Sequence, residues 1–260
     1  MDVDLPEIDF EGPLAQRGIG IIAPFDLALE RELWRWASLD VSLHLARTPY
    51  EEISVSLAMA ELVSKPQHMQ SATRDLLGVN PELVAYLCTS GSFIRGVAGE
   101  AELRQAMVDA GAPSAVTSSG ALAEAIQELG LTGISVITHY DAELTEVLIA
   151  FLAELGVTVV RSEYMGLGGG IWRVNYRTVA ELILKADVDD ADAVFVACTN
   201  LPTYDIIAPL EARLGKPVLT ANQLTVWACL GRMDLAMVGP GRWLRGVFEE
   251  EHSDDHGQQT

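Results

Sequence analysis

The sequence contains a set of short segments that occurs twice, in the same order, in its first and second halves. The pairs are GIGIIAP (18–24) and GISVITH (133–139), VSLHLAR (41–47) and VTVVRSE (157–163), VAYLCTSG (84–91) and VFVACTNL (194–201), and PSAVTSSGAL (113–122) and PVLTANQLTV (217–226). Ordinary alternation of strands and helices can mimic any one of these matches, but four matches in one order indicate a repeated unit. The chain is therefore predicted to form two halves of one topology that face each other across a cleft.

Short, almost continuous apolar runs alternate along the chain with longer amphipathic stretches. Strands are predicted at residues 17–24, 41–47, 83–88, 114–117, 133–138, 157–162, 193–198 and 217–221. Helices are predicted between them, among others at residues 98–110, 119–129, 141–155, 203–214 and 223–231. Apolar strands that alternate with helices are typical of parallel sheets covered on both faces. The predicted fold class is α/β, with two pseudo-symmetric Rossmann-like halves and the active site in the cleft between them.

The repeat also predicts how the chain is divided. Residues 16–118 are expected to form the first α/β half and residues 119–222 the second, with residues 223–245 packing back on the first. The two ends, residues 1–15 and 246–260, are rich in Asp and Glu and contain no Lys or Arg. We expect both ends to be disordered, because terminal segments of this kind have little apolar surface to bury.

The charge balance argues against two kinds of partner. The chain has 37 acidic and 17 basic residues, a net charge of −20. Nucleic acids and anionic membrane surfaces both require clustered Lys and Arg, so neither is expected. No apolar run is long enough to span a membrane, and the start of the sequence does not resemble a signal peptide. We therefore expect a cytoplasmic protein.

Two cysteines occupy equivalent positions in the repeat, each after a predicted strand and before two polar residues: Cys88-Thr89-Ser90 and Cys198-Thr199-Asn200. Ligands bind at the carboxyl ends of parallel strands. The polar side chains that follow, on Thr89, Ser90, Thr199 and Asn200, are suited to hold a carboxylate. Two thiols on opposite sides of one carbon can remove a proton from one face and return one to the other, or one thiolate can attack while the other thiol protonates. The alternative is that each cysteine only packs in the core, where Cys is common.

Other features give no signal for a metal or a cofactor. The three cysteines are too few for a disulfide framework and lack metal-ligand spacing, and Cys229 is assigned to the core. The GLGGG segment at 166–170 matches neither a phosphate-binding loop nor a dinucleotide-binding motif. We interpret it as a loop over the cleft, either a lid or a plain connector, and predict no metal and no cofactor.

The segments around the cysteines resemble a known group of enzymes. They are GIIAPFDLALERE (20–32), ARTPYEE (46–52), CTSGSFIRG (88–96), TSSGAL (117–122), ITHYDAEL (137–144), CTN (198–200) and PVLTANQLTVW (217–227). The chain is similar to the aspartate/glutamate racemase superfamily, in particular to the branch of maleate cis-trans isomerase, arylmalonate decarboxylase and the ectoine-utilisation EutA proteins. The resemblance implies a cofactor-independent enzyme with a small carboxylate substrate in its cleft, and this scaffold is compatible with a homodimer.

The resemblance also implies roles for single residues. In the isomerase, the first-half cysteine adds to the alkene and the second donates a proton, and these positions match Cys88 and Cys198. In the racemases the same pair acts as acid and base. Tyr140 matches a substrate-contacting tyrosine. The polar turn that binds the substrate carboxylate matches Thr117, Ser118 and Ser119.

Two positions distinguish between members of this group. Asp26 stands where the isomerase has Asn, and a carboxylate beside a dianion is repulsive unless it is protonated or paired. Asp26 therefore argues against maleate itself and for an amino-acid-like substrate whose ammonium group it would face. The decarboxylase has no first-half cysteine, so Cys88 favours isomerase or racemase chemistry.

The predicted function is cofactor-independent isomerisation, cis-trans or racemising, of a small carboxylate by Cys88 and Cys198. One alternative is a decarboxylase of the arylmalonate type, which does not need Cys88. Another, from a different class, is a carboxylate-binding protein without catalysis, which needs neither thiol.

Overall fold

Eight strands in the computed structural model, which describes residues 16–246, form two parallel sheets. The strands are β1 (Arg17–Ala23), β2 (Val41–Arg47), β3 (Leu83–Tyr86), β4 (Ala115–Thr117), β5 (Gly133–Thr138), β6 (Thr158–Tyr164), β7 (Ala193–Ala197) and β8 (Val218–Thr220). The sheets have the orders β2-β1-β3-β4 and β6-β5-β7-β8, and every pairing is parallel. The predicted α/β class, with two parallel-sheet halves of one topology, is confirmed.

Helices cover both faces of each sheet. They are α1 (Glu30–Trp34), α2 (Leu57–Val63), α3 (Pro66–Leu76), α4 (Thr89–Phe93), α5 (Gly96–Asp109), α6 (Ser118–Glu128), α7 (Ala142–Glu154), α8 (Tyr176–Ala186), α9 (Tyr204–Leu214) and α10 (Ala221–Gly231). Within residues 16–246, no helix has both the length and the apolar character that crossing a membrane requires. The predicted disordered ends lie outside the described residues, except for Gly246, which lies in a helical turn at residues 242–246.

The starts of several helices are set by polar side chains that accept a backbone N–H of the first turn. Thr117 accepts from Gly120 (2.9 Å) at the start of α6, and Asp141 accepts from Leu144 (2.9 Å) at the start of α7. Such caps satisfy N–H groups that have no partner within the helix. Each of these helices therefore begins directly at the carboxyl end of a strand or one short turn after it.

One apolar core continues from the first sheet to the second. It contains Ile21 and Ala85 of the first sheet and Val136 and Phe195 of the second, all with almost no exposed surface. Helix α10, which follows the last strand of the second sheet, packs against α6 and β4. The two sheets are therefore held as one body, with the carboxyl ends of their central strands directed at a shared cleft.

Glu32 forms a second connection between the halves. This buried residue of α1 accepts hydrogen bonds from the backbone N–H groups of Thr203 (3.2 Å) and Tyr204 (3.0 Å) and from the Thr203 hydroxyl (2.7 Å), so it caps α9 of the other half. Burial raises the pKa of Glu32, although these hydrogen bonds act against the shift.

Replacing Glu32 with alanine is expected to lower the free energy of unfolding by about 3 kcal/mol, because buried donors lose a charged acceptor. Urea unfolding followed by circular dichroism measures the change. The matched control is Glu102→Ala, since Glu102 is exposed and pairs with Arg95 on the surface. That variant should change stability by less than about 0.5 kcal/mol, and equal losses in the two variants would contradict the role of Glu32.

Candidate active site

Both cysteines of the repeated motif line one cavity between the halves. The cavity is small, with a volume of about 30 Å³, and it opens to solvent. Its wall contains six further residues predicted from the sequence: Asp26, Thr89, Ser90, Tyr140, Thr199 and Asn200. Four of the groups follow the central strands of the two sheets: Asp26 follows β1, Cys88 follows β3, Tyr140 follows β5 and Cys198 follows β7.

Cys88 is the residue immediately before α4. Its Sγ accepts a hydrogen bond from the backbone N–H of Gly91 (3.4 Å), and Ser90 Oγ lies 3.8 Å from the sulfur. Burial raises the pKa of Cys88, whereas the Gly91 N–H acts in the opposite direction. Only 6% of the residue is exposed, so the sulfur is reached only through the cavity.

Cys198 lies at the corresponding position of the second half. Its Sγ accepts the backbone N–H of Asn200 (3.1 Å). Burial raises the pKa of Cys198 well above its ordinary value, and negative charge on Asp26 and on Cys88 raises it further. Because a charge on one sulfur opposes a charge on the other, the pair disfavours two thiolates at the same time. At most one of the two sulfurs is then charged, as an acid and base pair requires.

Asp26 is the carboxyl group of the cavity. Its loop is held by Arg47, which donates to the carbonyl groups of Pro24, Phe25 and Leu27. Burial raises the pKa of Asp26, while the charge of Arg47 lowers it. Arg47 also pairs with Glu30, so its guanidinium is used in holding the loop.

Among the described residues, no Arg or Lys lines the cavity. Arg47 holds the Asp26 loop, and Arg95 pairs with Glu102. Carboxylate sites often use Arg as a two-pronged donor, whereas a carboxylate in this cavity would meet neutral donors.

Neutral donors converge at Tyr140. Its hydroxyl lies near the hydroxyls of Thr89 and Ser90, and its ring packs edge-on against Phe93 with centroids 5.8 Å apart. Burial raises the pKa of Tyr140 well above its ordinary value, so the side chain stays a neutral phenol. Three hydroxyl groups are thereby available to one carboxylate on the side of Cys88.

The turn at residues 117–119, predicted to bind the substrate carboxylate, is not part of the cavity wall. The hydroxyls of Thr117, Ser118 and Ser119 bond instead to Glu100 (2.7 Å), Thr225 (2.9 Å) and Ser92 (2.7 Å). All three are buried between α4, α6 and α10, where packing uses their hydrogen-bonding capacity. This arrangement depends on contacts with residues distant in sequence, and the binding role of the turn stays a prediction.

The side chain of Asn200 is also occupied. Its Oδ1 accepts the backbone N–H of Ala28 (2.9 Å), and its Nδ2 donates to the backbone carbonyl of Asp26 (2.9 Å). Asn200 therefore fixes the Asp26 loop from across the cleft, while its own N–H serves the Cys198 sulfur. The structure brings it to the cavity as a residue that positions two others.

The glycine segment at 166–170 lies against the first half. The carbonyl of Gly168 accepts the N–H of Val55 (3.0 Å), and both Val55 and Ile171 line the cavity. Gly166 and Gly170 have φ values of 67° and 65°, which favour glycine. The loop thus lies beside the cavity, and its role as a lid stays a prediction.

Sequence reasoning missed the apolar wall formed by Val55 and Met59, and His139 also lines the cavity. Val55 and Met59 lie in a stretch without a counterpart in the second half, so the repeat gave no signal there. Burial lowers the pKa of His139 to about 3, so its imidazole is neutral at ordinary pH. Within residues 16–246, no group of three or more His, Cys, Asp or Glu is placed to hold a metal ion.

Comparisons with known proteins support the same grouping. A family model described as Amdase, arylmalonate decarboxylase, matches residues 60–243. The chain is similar to the arylmalonate decarboxylase of Bordetella bronchiseptica, with 32% identity over 149 residues. The match covers 56% of this chain and 62% of the decarboxylase, so it spans less than two thirds of that relative's length. It is similar to a maleate isomerase of Geobacillus stearothermophilus, with 28% identity over 198 residues, 72% of this chain and 79% of that protein.

A solved structure shows the same fold. It is a mutant of the maleate cis-trans isomerase of Nocardia farcinica that carries a covalently bound succinylcysteine intermediate. The two structures superpose with a TM-score of 0.79 and 20% identity, over 88% of this chain and 98% of the isomerase chain. The resemblance to the isomerase and decarboxylase branch is confirmed. Because the family model matches more than half of the chain, this protein belongs to the arylmalonate decarboxylase (Amdase) family.

Proposed function

We propose that this protein is a cofactor-independent isomerase of a small carboxylate, with Cys88 and Cys198 as the reacting pair. The observation that carries the proposal is that two thiols from the two halves line one cavity, and that each sulfur's charge opposes the other's. The maleate isomerases among its relatives, one of which forms a succinylcysteine, support this chemistry.

For cis-trans isomerisation, the Cys88 thiolate adds to one alkene carbon and forms a C–S bond, while the adjacent carbon takes the proton of the Cys198 thiol. The new single bond rotates. The Cys198 thiolate then removes that proton, the double bond forms again, and the C–S bond breaks. Both groups return to their starting states.

For racemisation, the same pair moves protons only. The Cys88 thiolate removes the proton next to the carboxylate, and the Cys198 thiol delivers its own proton to the opposite face. Hydrogen bonds from Tyr140, Thr89 and Ser90 to the substrate carboxylate stabilise the negative charge that develops there. Both reactions need the two thiols on opposite sides of the substrate.

Asp26 favours an amino-acid-like substrate over a dicarboxylate. A second carboxylate would face Asp26 in a cavity where, among the described residues, no cationic side chain offsets the repulsion. An ammonium group would pair with Asp26. The ammonium group would also lower the pKa of both thiols, because the negative charge of Asp26, which it would offset, raises the pKa of each thiol.

A second candidate is decarboxylation of an arylmalonate, which the description of the family model favours. This reaction needs one proton donor, a role that Cys198 alone can fill. Cys88 would then be dispensable.

The experiment that tests the proposal is proton NMR in D2O with maleate, aspartate, glutamate, a hydantoin, acetylated diaminobutyrate and phenylmalonate. We expect deuterium at one carbon of one small carboxylate, without loss of CO2. Release of CO2 from phenylmalonate that persists in Cys88→Ser would select the decarboxylase. A ligand that raises the melting temperature but is never converted would identify a binding protein and contradict the proposal.

We also propose a cytoplasmic location, which the three free thiols of Cys88, Cys198 and Cys229 support, because a reducing compartment keeps them unpaired. A homodimer stays a prediction, and sedimentation velocity would test it. A place in ectoine utilisation also stays a prediction.

A further inference from the structure

One peptide group connects the Cys198 sulfur to a side chain of α10. The peptide between Thr199 and Asn200 directs its N–H at the sulfur, with 3.1 Å between nitrogen and sulfur. The carbonyl of the same peptide, on Thr199, accepts a hydrogen bond from Nδ2 of Asn222 (2.9 Å). A trans peptide group is planar and carries its N–H and C=O on opposite sides, so a bond that fixes the carbonyl also fixes the direction of the N–H. Asn222 therefore determines where the N–H beside Cys198 points.

The side chain of Asn222 makes this contact as its one hydrogen bond within residues 16–246. Asn222 is the second residue of α10, is 1% exposed, and lies outside the residues that line the cavity. A carbonyl oxygen only accepts hydrogen bonds, so the amide nitrogen of Asn222 must be the atom that faces Thr199. Its Oδ1 is buried without a partner among the same residues. A buried amide with an unpaired oxygen adds little to stability, so its contribution is the contact with Thr199.

The side chains next to this peptide hold the loop but not the plane of the peptide group. The Thr199 hydroxyl donates to the carbonyl of Leu87 (3.3 Å), and the side chain of Asn200 bonds to the backbone of Asp26 and Ala28. These contacts fix the two ends of the peptide. A planar group can still turn between two fixed ends, because it moves as a rigid unit about the bonds that flank it. Such a turn would direct the N–H away from the sulfur, and the bond from Asn222 opposes it.

The first half has a polar residue at the corresponding position but a different connection to its sulfur. Ser119, the second residue of α6, donates to the carbonyl of Thr89 (3.1 Å). The N–H that bonds to the Cys88 sulfur comes from Gly91, which belongs to the next peptide group. In the part of the chain that the structure describes, a helix side chain therefore orients the N–H at Cys198 but not the one at Cys88.

We propose that Asn222 is a positioning residue for Cys198, which it serves by holding the Thr199–Asn200 peptide with its N–H directed at the sulfur. The proposal rests on the proposed function, in which the Cys198 thiol gives its proton to a substrate carbon and becomes a thiolate. A hydrogen bond to the charged sulfur stabilises that form. The bond from Asn222 also strengthens the N–H as a donor, since hydrogen bonds in a chain polarise one another. Asn222 thus favours proton transfer without touching the substrate.

The test is Asn222→Leu, which keeps the approximate size of the side chain and removes the donor. At a fixed pH below both thiol midpoints, the rate at which iodoacetamide alkylates Cys198 should fall about tenfold, because less of the thiol is ionised. Cys88 lines the same cavity and reports any change in access, so its rate, read by peptide mass spectrometry in the same sample, should stay unchanged. For the substrate identified in D2O, kcat should fall about tenfold while KM stays within about twofold.

The matched control is Ser135→Ala. Ser135 is buried in β5 and donates to the carbonyl of Ala186 (2.7 Å), so its removal costs a hydrogen bond to a buried carbonyl away from the thiols. This control should leave both alkylation rates and kcat unchanged even if the melting temperature falls. If Asn222→Leu does not fold, Asn222→Ala removes the same donor with a smaller side chain and is read in the same way.

The proposal is overturned if the alkylation rate of Cys198 stays unchanged without the Asn222 amide, or if Cys88 and Cys198 slow equally. Turnover that persists in Cys198→Ser would instead overturn the proposed function, whatever the alkylation rates.

Discussion

Replacing Cys88 or Cys198 with serine is expected to lower kcat by about 10³-fold or more while the fold is retained. A serine hydroxyl occupies almost the same space, but it neither ionises nor attacks carbon as a thiol does, and positioned acid and base groups each contribute about 10² to 10⁴ in rate. The measurement is kcat for the substrate identified in D2O, together with circular dichroism and the melting temperature of each variant.

The matched control is Cys229→Ser. Cys229 is buried in α10 outside the cavity wall, and burial raises its pKa to about 12, so it has no part in proton transfer. This variant should keep kcat within a few-fold of the unmodified protein. Near-normal turnover in either Cys88→Ser or Cys198→Ser would contradict the assignment of the reacting pair.

Asp26→Asn is expected to change substrate preference more than any other single replacement in the cavity. Loss of a half-buried carboxylate that pairs with a substrate ammonium group should lower kcat/KM for an amino-acid-like substrate by about 10²-fold or more. Activity toward dicarboxylates such as maleate should rise in the same variant, because the repulsion is gone. Both thiols should also alkylate at lower pH, because the charge of Asp26 raises the pKa of each.

The repeat supplies a matched control for this replacement. Asp141 occupies the position of Asp26 in the second half, but its side chain caps α7 by accepting the N–H of Leu144 (2.9 Å). Asparagine caps a helix about as well as aspartate, so Asp141→Asn should leave substrate preference unchanged. Efficient maleate isomerisation by the unmodified protein, with no gain in Asp26→Asn, would contradict the role of Asp26 and leave the role of the cysteines intact.

The strands and the cysteine positions could be predicted because they depend on local sequence. Apart from the edge strands β2 and β6, which are partly exposed, each strand is a short apolar run with almost no exposed surface, and the repeat identifies which strand ends correspond. The helices α2, α3 and α8 were not among those predicted. For α3 a signal was present, because Pro66 stands at its first position, where proline is favoured.

The side chains around the thiols were harder to predict because their partners are distant in sequence. Thr117 was assigned to the substrate, but its partner Glu100 lies on the preceding helix. Asn200 reaches the backbone of residues 26–28, on the other side of the cleft. Tyr86 is one aromatic residue in an apolar strand, and its hydroxyl meets its acceptor, the carbonyl of Val63, only where β3, α2 and α4 come together.

The most direct test of the reacting pair is the kinetics of the double variant Cys88→Ser/Cys198→Ser beside the two single variants. Groups that act on one substrate in one reaction lose their effects together, so removal of the second costs little once the first is gone. We expect the double variant to be within a few-fold of the slower single variant. Losses that multiply, so that the double variant shows the product of the two single effects, would mean that the thiols act independently and would contradict a shared reaction at one carbon.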